Sequence, residues 1–438
     1  MKTVPTPRNL EFAWVTLALV LCVSGCGKSG GKADTKADAQ AVAAVNAKLE
    51  AIRQAGQPVT PAELNAWYPE PPAGENAAPL YAEAFAALVV EEANSPSFLA
   101  KNQKALTLLH KAAAKSQCCY PMDLTEGYNL KLPHLAKIKS CAQLLGKEAV
   151  SNAGKGRMDL AAQSVIDGLR LGRTLEQEPL LISQLVRMAS DSITQSSLEE
   201  ALNIKAFTEE QLARLQAAFR EEEGIVATCL ARALTGERCS VIALFQMSPQ
   251  EYAKLSGNAG TNNPFGQPVE FERFRKSASF NADFNFCLDS FSNWIAISSA
   301  PFPGCLDAAS QWSSQLSEAK SKGYLISTVM LPALSGEMEK AAESVGRLRV
   351  AQTALAVERY RLAQGNALPD SLNQLAPKYL ATVPDDPFDG KPLRYKKPSP
   401  KGYVIYSIGR NRQDDGGTPR PTGGKMDGPF DLTFAVRR

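Results

Sequence analysis

From about Ala41 onward, apolar side chains recur at intervals of three and four, the period of a helix with one buried face. Thr60, Pro61 and Glu63 predict a helix start: the hydroxyl caps free amides, proline accepts the first-turn geometry and the acid reaches back. Leu80, Phe85 and Leu88 mark one face of a helix running to about Ala93, and Leu106, Leu108 and Leu109 mark another over about Phe98 to Lys115. Pro133 opens a helix carrying Leu135, Ile138, Leu144, Leu145 and Val150. Gly154-Lys155-Gly156 ends it, and Met158, Ala161, Val165, Leu169 and Leu175 resume the period, which predicts an antiparallel helical hairpin. Helices over Leu180 to Leu202 and Phe207 to Leu234 follow, the second opened by a capping box from Thr208 to Gln211. No 34-residue self-similarity runs through them. The pattern therefore predicts an irregular antiparallel helical bundle, with a solenoid-like stack as the alternative.

Beyond Gly236 the period weakens. Gly257 to Gly266 reads as a loop, and Phe271, Phe274, Phe280, Phe284, Phe286 and Phe291, with Trp294 and Trp312, read as a satellite of the core. A clear pattern returns near Glu337, where Ala341, Val345, Leu348, Ala351, Leu355 and Leu362 line one side of a helix ending at Ala363, with Gly365 and Pro369 as its stop. Strands are expected over Pro392 to Lys396, Tyr403 to Ile408 and Phe430 to Val436, with a glycine-rich acidic loop, Gly409 to Gly417, before the last. The fold class is mainly α followed by a small α+β unit, with the helical body over 41–335 and the α+β module over 336–438.

The order of signals in that last quarter is specific enough to compare. Tyr360, Arg361 and Gly365 close a long helix; Leu368-Pro369-Asp370-Ser371-Leu372 follows, then Pro384-Asp385-Asp386-Pro387-Phe388, then Tyr406-Ser407-Ile408-Gly409 before the acidic loop. This order resembles the head of the major pseudopilin of type II secretion. The resemblance implies a calcium site in the acidic loop, with Asp414, Asp415, Asp427 and Asp431 as candidate ligands, since calcium takes six to eight oxygens. Arg410, Arg412, Arg420 and Lys425 offset those charges, and a plain glycine-rich turn is the competing reading. A pseudopilin begins with its long helix directly behind a prepilin cleavage site and builds a filament from that helix's apolar half. Here some three hundred residues precede the module, and the apolar stretch Tyr324 to Leu334 is short and interrupted by Pro332, so domain reuse is the expectation and filament assembly is not.

The N-terminus has its own pattern: Lys2 and Arg8, then apolar residues from Phe12 to Val23, then Val23-Ser24-Gly25-Cys26. The run falls short of the roughly 20 residues of a spanning helix. It resembles the bacterial lipoprotein signal, which implies a cleaved peptide over 1–25 and acylation of Cys26, with 26–40 as a Gly/Lys/Asp/Ala tether. Ser24 to Ser29 looks like the end of a phosphate-binding loop, but Cys22 stands where that loop needs glycine and no helix pattern follows.

Composition adds limits more than direction. The 438 residues are 44% hydrophobic and 21% charged with a formal charge of +3, an ordinary globular balance that argues against nucleic acid as a partner. Residues 339–438 carry 17 Lys and Arg against 11 Asp and Glu, while 27–338 carry 29 against 33, so a mildly basic end faces a mildly acidic body. Of nine cysteines, Cys22 and Cys26 belong to the signal, and Cys229 with Cys239 or Cys287 with Cys305 are close enough in sequence to pair in an oxidising compartment. Vicinal Cys118 and Cys119 read as buried small side chains. His110 and His134 are the sole histidines, on separate helices outside any catalytic motif, and Glu221-Glu222-Glu223 reads as a solvated helix face. The expectation is a non-enzymatic lipoprotein of the cell envelope, held to a membrane by its N-terminal lipid and acting on a protein partner without a resident cofactor. An accessory part in a type II secretion or pilus-like system is the alternative, and an enzyme with a site in the helical body ranks third.

Overall fold

Helix dominates because the three-to-four apolar spacing is sustained over most of the chain. The computed structural model describes residues 35–72, 74–90, 95, 97–259, 267–421 and 428–438; the expected signal over 1–25, Cys26 and Asp427 lie outside them. Helix α1 (Thr35–Gln54) starts inside the stretch expected as tether. Side chains from a later helix secure its early turns: Asn281 donates to Asp38 and Asn285 to the Ala41 carbonyl.

The predicted start at Thr60 forms. The hydroxyl accepts from the Glu63 amide at 3.1 Å, Glu63 accepts from the Val59 amide at 2.7 Å, and α2 (Pro61–Trp67) follows. Helix α3 (Ala78–Ala87) stops short of Ala93, and the helix expected over Phe98 to Lys115 is broken into α4 (Phe98–Lys101) and α5 (Gln103–Ala113). One residue accounts for both differences. Asn102 is fully buried, and its amide bonds the Val89 N–H and C=O at 2.8 and 2.9 Å, replacing helical partners with side-chain ones.

The hairpin of α6 (Pro133–Gly154) and α7 (Met158–Arg173) turns at Gly156, which adopts a φ of +72°. Helix α8 (Leu181–Ile204) lies on both. Its approach to α7 depends on glycine: a Cβ on Gly168 would meet Thr194 Oγ1 at 2.7 Å, and one on Gly172 would meet Asp191 Oδ1 at 2.7 Å. The Thr208–Gln211 capping box opens α9 (Glu209–Gln246), which runs past its expected end near Leu234. Gly236 is a contact point and not a helix stop, since a Cβ there would lie 1.8 Å from the Pro179 carbonyl oxygen.

Helices α10 (Pro249–Ala259), α11 (Pro268–Arg275), α12 (Ser279–Ser298), α13 (Gly304–Ser321) and α14 (Leu325–Met330) complete the body. Helix α10 covers Gly257 to Ala259, the first part of the expected loop, and residues 260–266 lie outside the described residues. The aromatic cluster is core, as expected: Phe271, Phe284, Phe291 and Trp294 are buried, and Phe245 stacks on Phe284 with centroids 4.3 Å apart.

Helix α15 (Pro332–Ala363) is followed by three antiparallel strands, β1 (Arg394–Lys396), β2 (Tyr403–Ser407) and β3 (Leu432–Val436), in the order β1-β2-β3. Tyr403 pairs with Val436 and Ile405 with Phe434, and these side chains cover α15, where Leu348 and Leu355 are buried. The helix has no open side along its middle. The sheet lies on one face and α9 and α13 on others, so all eight residues from Val350 to Val357 are buried. One apolar core therefore runs from Val45 in α1 to Val436 in β3, across the expected boundary near 335.

The charge asymmetry becomes docking contacts. Arg349 pairs with Glu223 at 2.7 Å, Arg359 with Glu209 at 2.6 Å and Arg412 with Asp307 at 2.9 Å, each cation from the C-terminal part and each acid from the body. The outer edge of β3 is also occupied. Glu199 of α8 accepts from the Ala435 amide, and Asn203 bonds the Ala435 carbonyl and the Arg437 amide, which closes that edge to strand addition.

Candidate functional site

Ionisable groups converge where α7, α8 and α9 meet. Arg187 of α8 is fully buried, and its Nη1 lies 3.5 Å from Asp191 and 3.6 Å from Glu222. Arg173 of α7 donates from Nε to the other Glu222 oxygen at 2.7 Å and from Nη1 to Glu221 at 3.1 Å. Two buried carboxylates thus meet two guanidinium groups, with Glu221 as a third, exposed partner. Burial pushes the carboxyl pKa of Asp191 well above its ordinary value, aided by the neighbouring Glu222, and burial raises that of Glu222. Asp191 Oδ1 and Glu222 Oε2 have no hydrogen-bond donor among the described residues.

This corrects the expectation of a solvated face over Glu221 to Glu223. The three side chains leave α9 in three directions: Glu221 to solvent and Arg173, Glu222 into the interior, and Glu223 to Arg349 and Gln352 of α15. Outside the cluster, a cleft of about 200 Å³ opens between α7 and α9, with Ile166, Leu169 and Ala218 as apolar walls and Arg170, Arg173 and Arg214 beside them. The glutamates Glu221 and Glu222 border the same cleft, so both signs of charge face it.

The two histidines are clamped by acids. His110 bonds Asp167 through Nδ1 at 2.7 Å and Glu148 through Nε2 at 2.8 Å, and these bonds, Asp167 first, raise its pKa to about 10. It is then a cation at neutral pH with both N–H groups donating, a pin across α5, α6 and α7. His134 stacks on Tyr120 and bonds Glu178 at 2.8 Å, while Ser183 donates to the second oxygen of the same carboxylate. Glu178 sits in the middle of that triad. A nucleophile–base relay would put histidine there.

The seven described cysteines are free thiols. Cys229 and Cys239 stand ten residues apart on one helix, about 15 Å along its axis, beyond disulfide reach. Cys287 contacts Ser327 Oγ at 3.1 Å instead of Cys305.

In the acidic loop the aspartates turn toward N–H donors. Asp431 accepts from the Asp415 amide at 3.3 Å and the Gly417 amide at 2.6 Å, Asp414 accepts from the Gly416 amide at 2.9 Å, and Asp415 accepts from Asn411 at 2.7 Å. Among the described residues no group of three or more His, Cys, Asp or Glu side chains is placed to hold a metal ion. Asp427, the fourth candidate, lies outside the described residues.

Glu222, Asp191 and Arg187 were invisible to pattern reading. The one available signal was polar residues recurring on an inward face of α8, at Gln184, Arg187, Asp191 and Gln195, where a helix of such a bundle should be apolar. No protein-family model matches this chain, and neither curated proteins nor solved structures show a significant similarity to it.

Proposed function

We propose that this chain is a lipid-anchored protein of the cell envelope that works by binding and assembly, and that its pseudopilin-like C-terminal module is fastened to its own helical body instead of to other copies. The observation that carries this reading is the enclosure of α15. A pseudopilin makes its filament from its long helix, and here the corresponding helix is covered by α9, α13 and the sheet. Strand addition at β3 is closed by Glu199 and Asn203. What supports the anchor is the Cys26 signal; among the described residues no helix is long and apolar enough to cross a membrane.

The test is the assembly state of the full chain in detergent at increasing concentration. Discrete particles of constant size by sedimentation and electron microscopy are expected, whereas concentration-dependent filaments would overturn the reading.

A second reading, an accessory component of a secretion or pilus-like system, is favoured by one observation. The chain runs from a long helix through the Leu-Pro-Asp-Ser-Leu step to three antiparallel strands, and the motifs along it carry the resemblance to a pseudopilin head. Co-purification with the assembly platform of such a system would support it.

A further inference from the structure

The whole chain has a formal charge of +3, and residues 98–157 hold more than all of it. They carry 10 Lys and Arg against 3 Asp and Glu, a surplus of +7 that leaves the rest of the protein at −4. All ten cations are exposed. The acids do not offset them locally. Asp123 and Glu126 belong to the segment between α5 and α6 that packs on α2, and Glu148, the only carboxylate on α4, α5 and α6, turns inward to His110 and Ser164. Among the described residues Lys104 and Lys111 of α5, Lys139 and Lys147 of α6, and Lys155 and Arg157 at the turn into α7 form no ion pair with a carboxylate. Neighbouring cations left without counter-charge raise the local positive potential and draw anions to the surface.

The shape of this surface decides among anionic partners. Lys147 follows Lys139 by eight residues, about 12 Å along α6 and about 80° around it, so the cations wind about the helix instead of lining one side. Lys104 and Lys111 add a second helix, and Lys155 and Arg157 add a turn. A bilayer is flat and meets one side of such a surface, whereas a flexible chain can follow the curve. A protein partner would want an apolar centre, and none of the exposed large apolar side chains lies on α4, α5 or α6. Nucleic acid would want aromatic platforms for its bases, and these helices expose no Phe, Tyr or Trp. What stands between the cations is neutral and forms hydrogen bonds: Thr107 and Gln143 are exposed and Ser140 is half-buried. Such groups suit sugar hydroxyls. Lysines, as point charges on flexible stems, suit repeated anions without requiring one fixed geometry.

We infer that the outer surface of α5, α6 and the α6–α7 turn binds an acidic polysaccharide, a flexible glycan chain whose sugars carry carboxylate or sulfate. The lysines meet its anions, and the neutral groups between them meet its hydroxyls. The site is independent of the lipid anchor and adds a second kind of partner to the binding role. Carboxylate and sulfate are two sources of the same charge, and separate probes distinguish them.

The experiment is calorimetric titration of the full-length protein in neutral detergent with polygalacturonate, dextran sulfate, unmodified dextran, poly-L-glutamate and single-stranded DNA of matched chain length. At least one of the two acidic polysaccharides should bind at least about tenfold tighter than dextran, poly-L-glutamate or DNA, and its affinity should fall steeply with added salt. Lys139→Gln, Lys147→Gln and Lys155→Gln together should weaken that binding about tenfold or more. All three side chains are exposed, so the melting temperature should stay that of the wild type. Removing the same number of charges from the C-terminal module, with Lys378→Gln, Lys391→Gln and Lys401→Gln together, should leave the affinity within about twofold. Poly-L-glutamate or DNA binding as tightly as the acidic polysaccharides would overturn the assignment in favour of a protein or nucleic-acid partner. Equal loss in the two triple variants, an affinity unchanged in the first, or no binding by either acidic polysaccharide would each overturn it as well.

Discussion

Arg349 of α15 donates to Glu223 of α9 at 2.7 Å, and the same glutamate accepts from Gln352 one turn further along α15. The two helices are thereby joined by charge-assisted bonds along the flank of their apolar contact. Removing the acceptor leaves the buried Gln352 and the half-buried Arg349 without their partner, so Glu223→Ala should cost about 1–2 kcal/mol of stability. The loss should appear in a single denaturant transition shared by both parts of the chain, because the core is continuous from Val45 to Val436. Two separable transitions would show that the C-terminal module stands independently.

Gly236 is a second point where α9 allows no change. The Pro179 carbonyl oxygen occupies the space of a Cβ, and backbone cannot move aside as a flexible side chain does. Gly236→Ala should therefore destabilise by about 1–3 kcal/mol in spite of alanine's better helix propensity. Gly224, on the same helix with nothing within 4 Å of its missing Cβ, is the control. Gly224→Ala should be neutral or stabilising by denaturant titration.

His110 supplies a pH dependence whose sign is fixed by its partners. Asp167 and Glu148 raise its folded pKa from 6.5 to about 10. The folded state then holds a proton that the unfolded state releases, so the contribution is complete below about pH 6.5 and is lost as pH rises toward 10. Melting temperature should fall between pH 6.5 and 8.5, a window below the ionisation of most thiols, and His110→Gln should flatten that slope. An unchanged slope in the variant would place the dependence elsewhere.

Thiol chemistry gives a direct count. Burial pushes the pKa of Cys118, Cys141, Cys239 and Cys305 up to about 12, and Cys118 alone of the seven is partly exposed. Such thiols stay protonated and unreactive. The folded protein should react slowly with a thiol reagent, at Cys118 first, and all seven should react once guanidinium unfolds the chain. A smaller number in the unfolded, unreduced chain would reveal a disulfide.

Local signals survived translation into structure. The Gly154–Gly156 turn, the Thr60 and Thr208 caps, the aromatic satellite and the helix-then-strands order of the last quarter were legible because each rests on neighbours in sequence. Long-range polar pairing was not legible. Glu358 of α15 is buried, and its partners Arg438 and Arg361 reach it from 80 and three residues away. Glu222 reads as surface for the same reason, its partners Arg173 and Arg187 lying on two other helices. Asn102 broke a helix that periodicity continued, since its amide found the Val89 backbone across a bend.

The central claim is an anchored protein, and it turns on one atom, the sulfur of Cys26. The most direct measurement is incorporation of radiolabelled fatty acid into the full-length chain expressed in a bacterium, compared with Cys26→Ala. The account predicts label and membrane association in the wild type and neither in the variant, with Cys22 contributing nothing because the proposed cleavage before Cys26 would remove it. Equal labelling of both chains, or a wild type that carries no lipid, would contradict it.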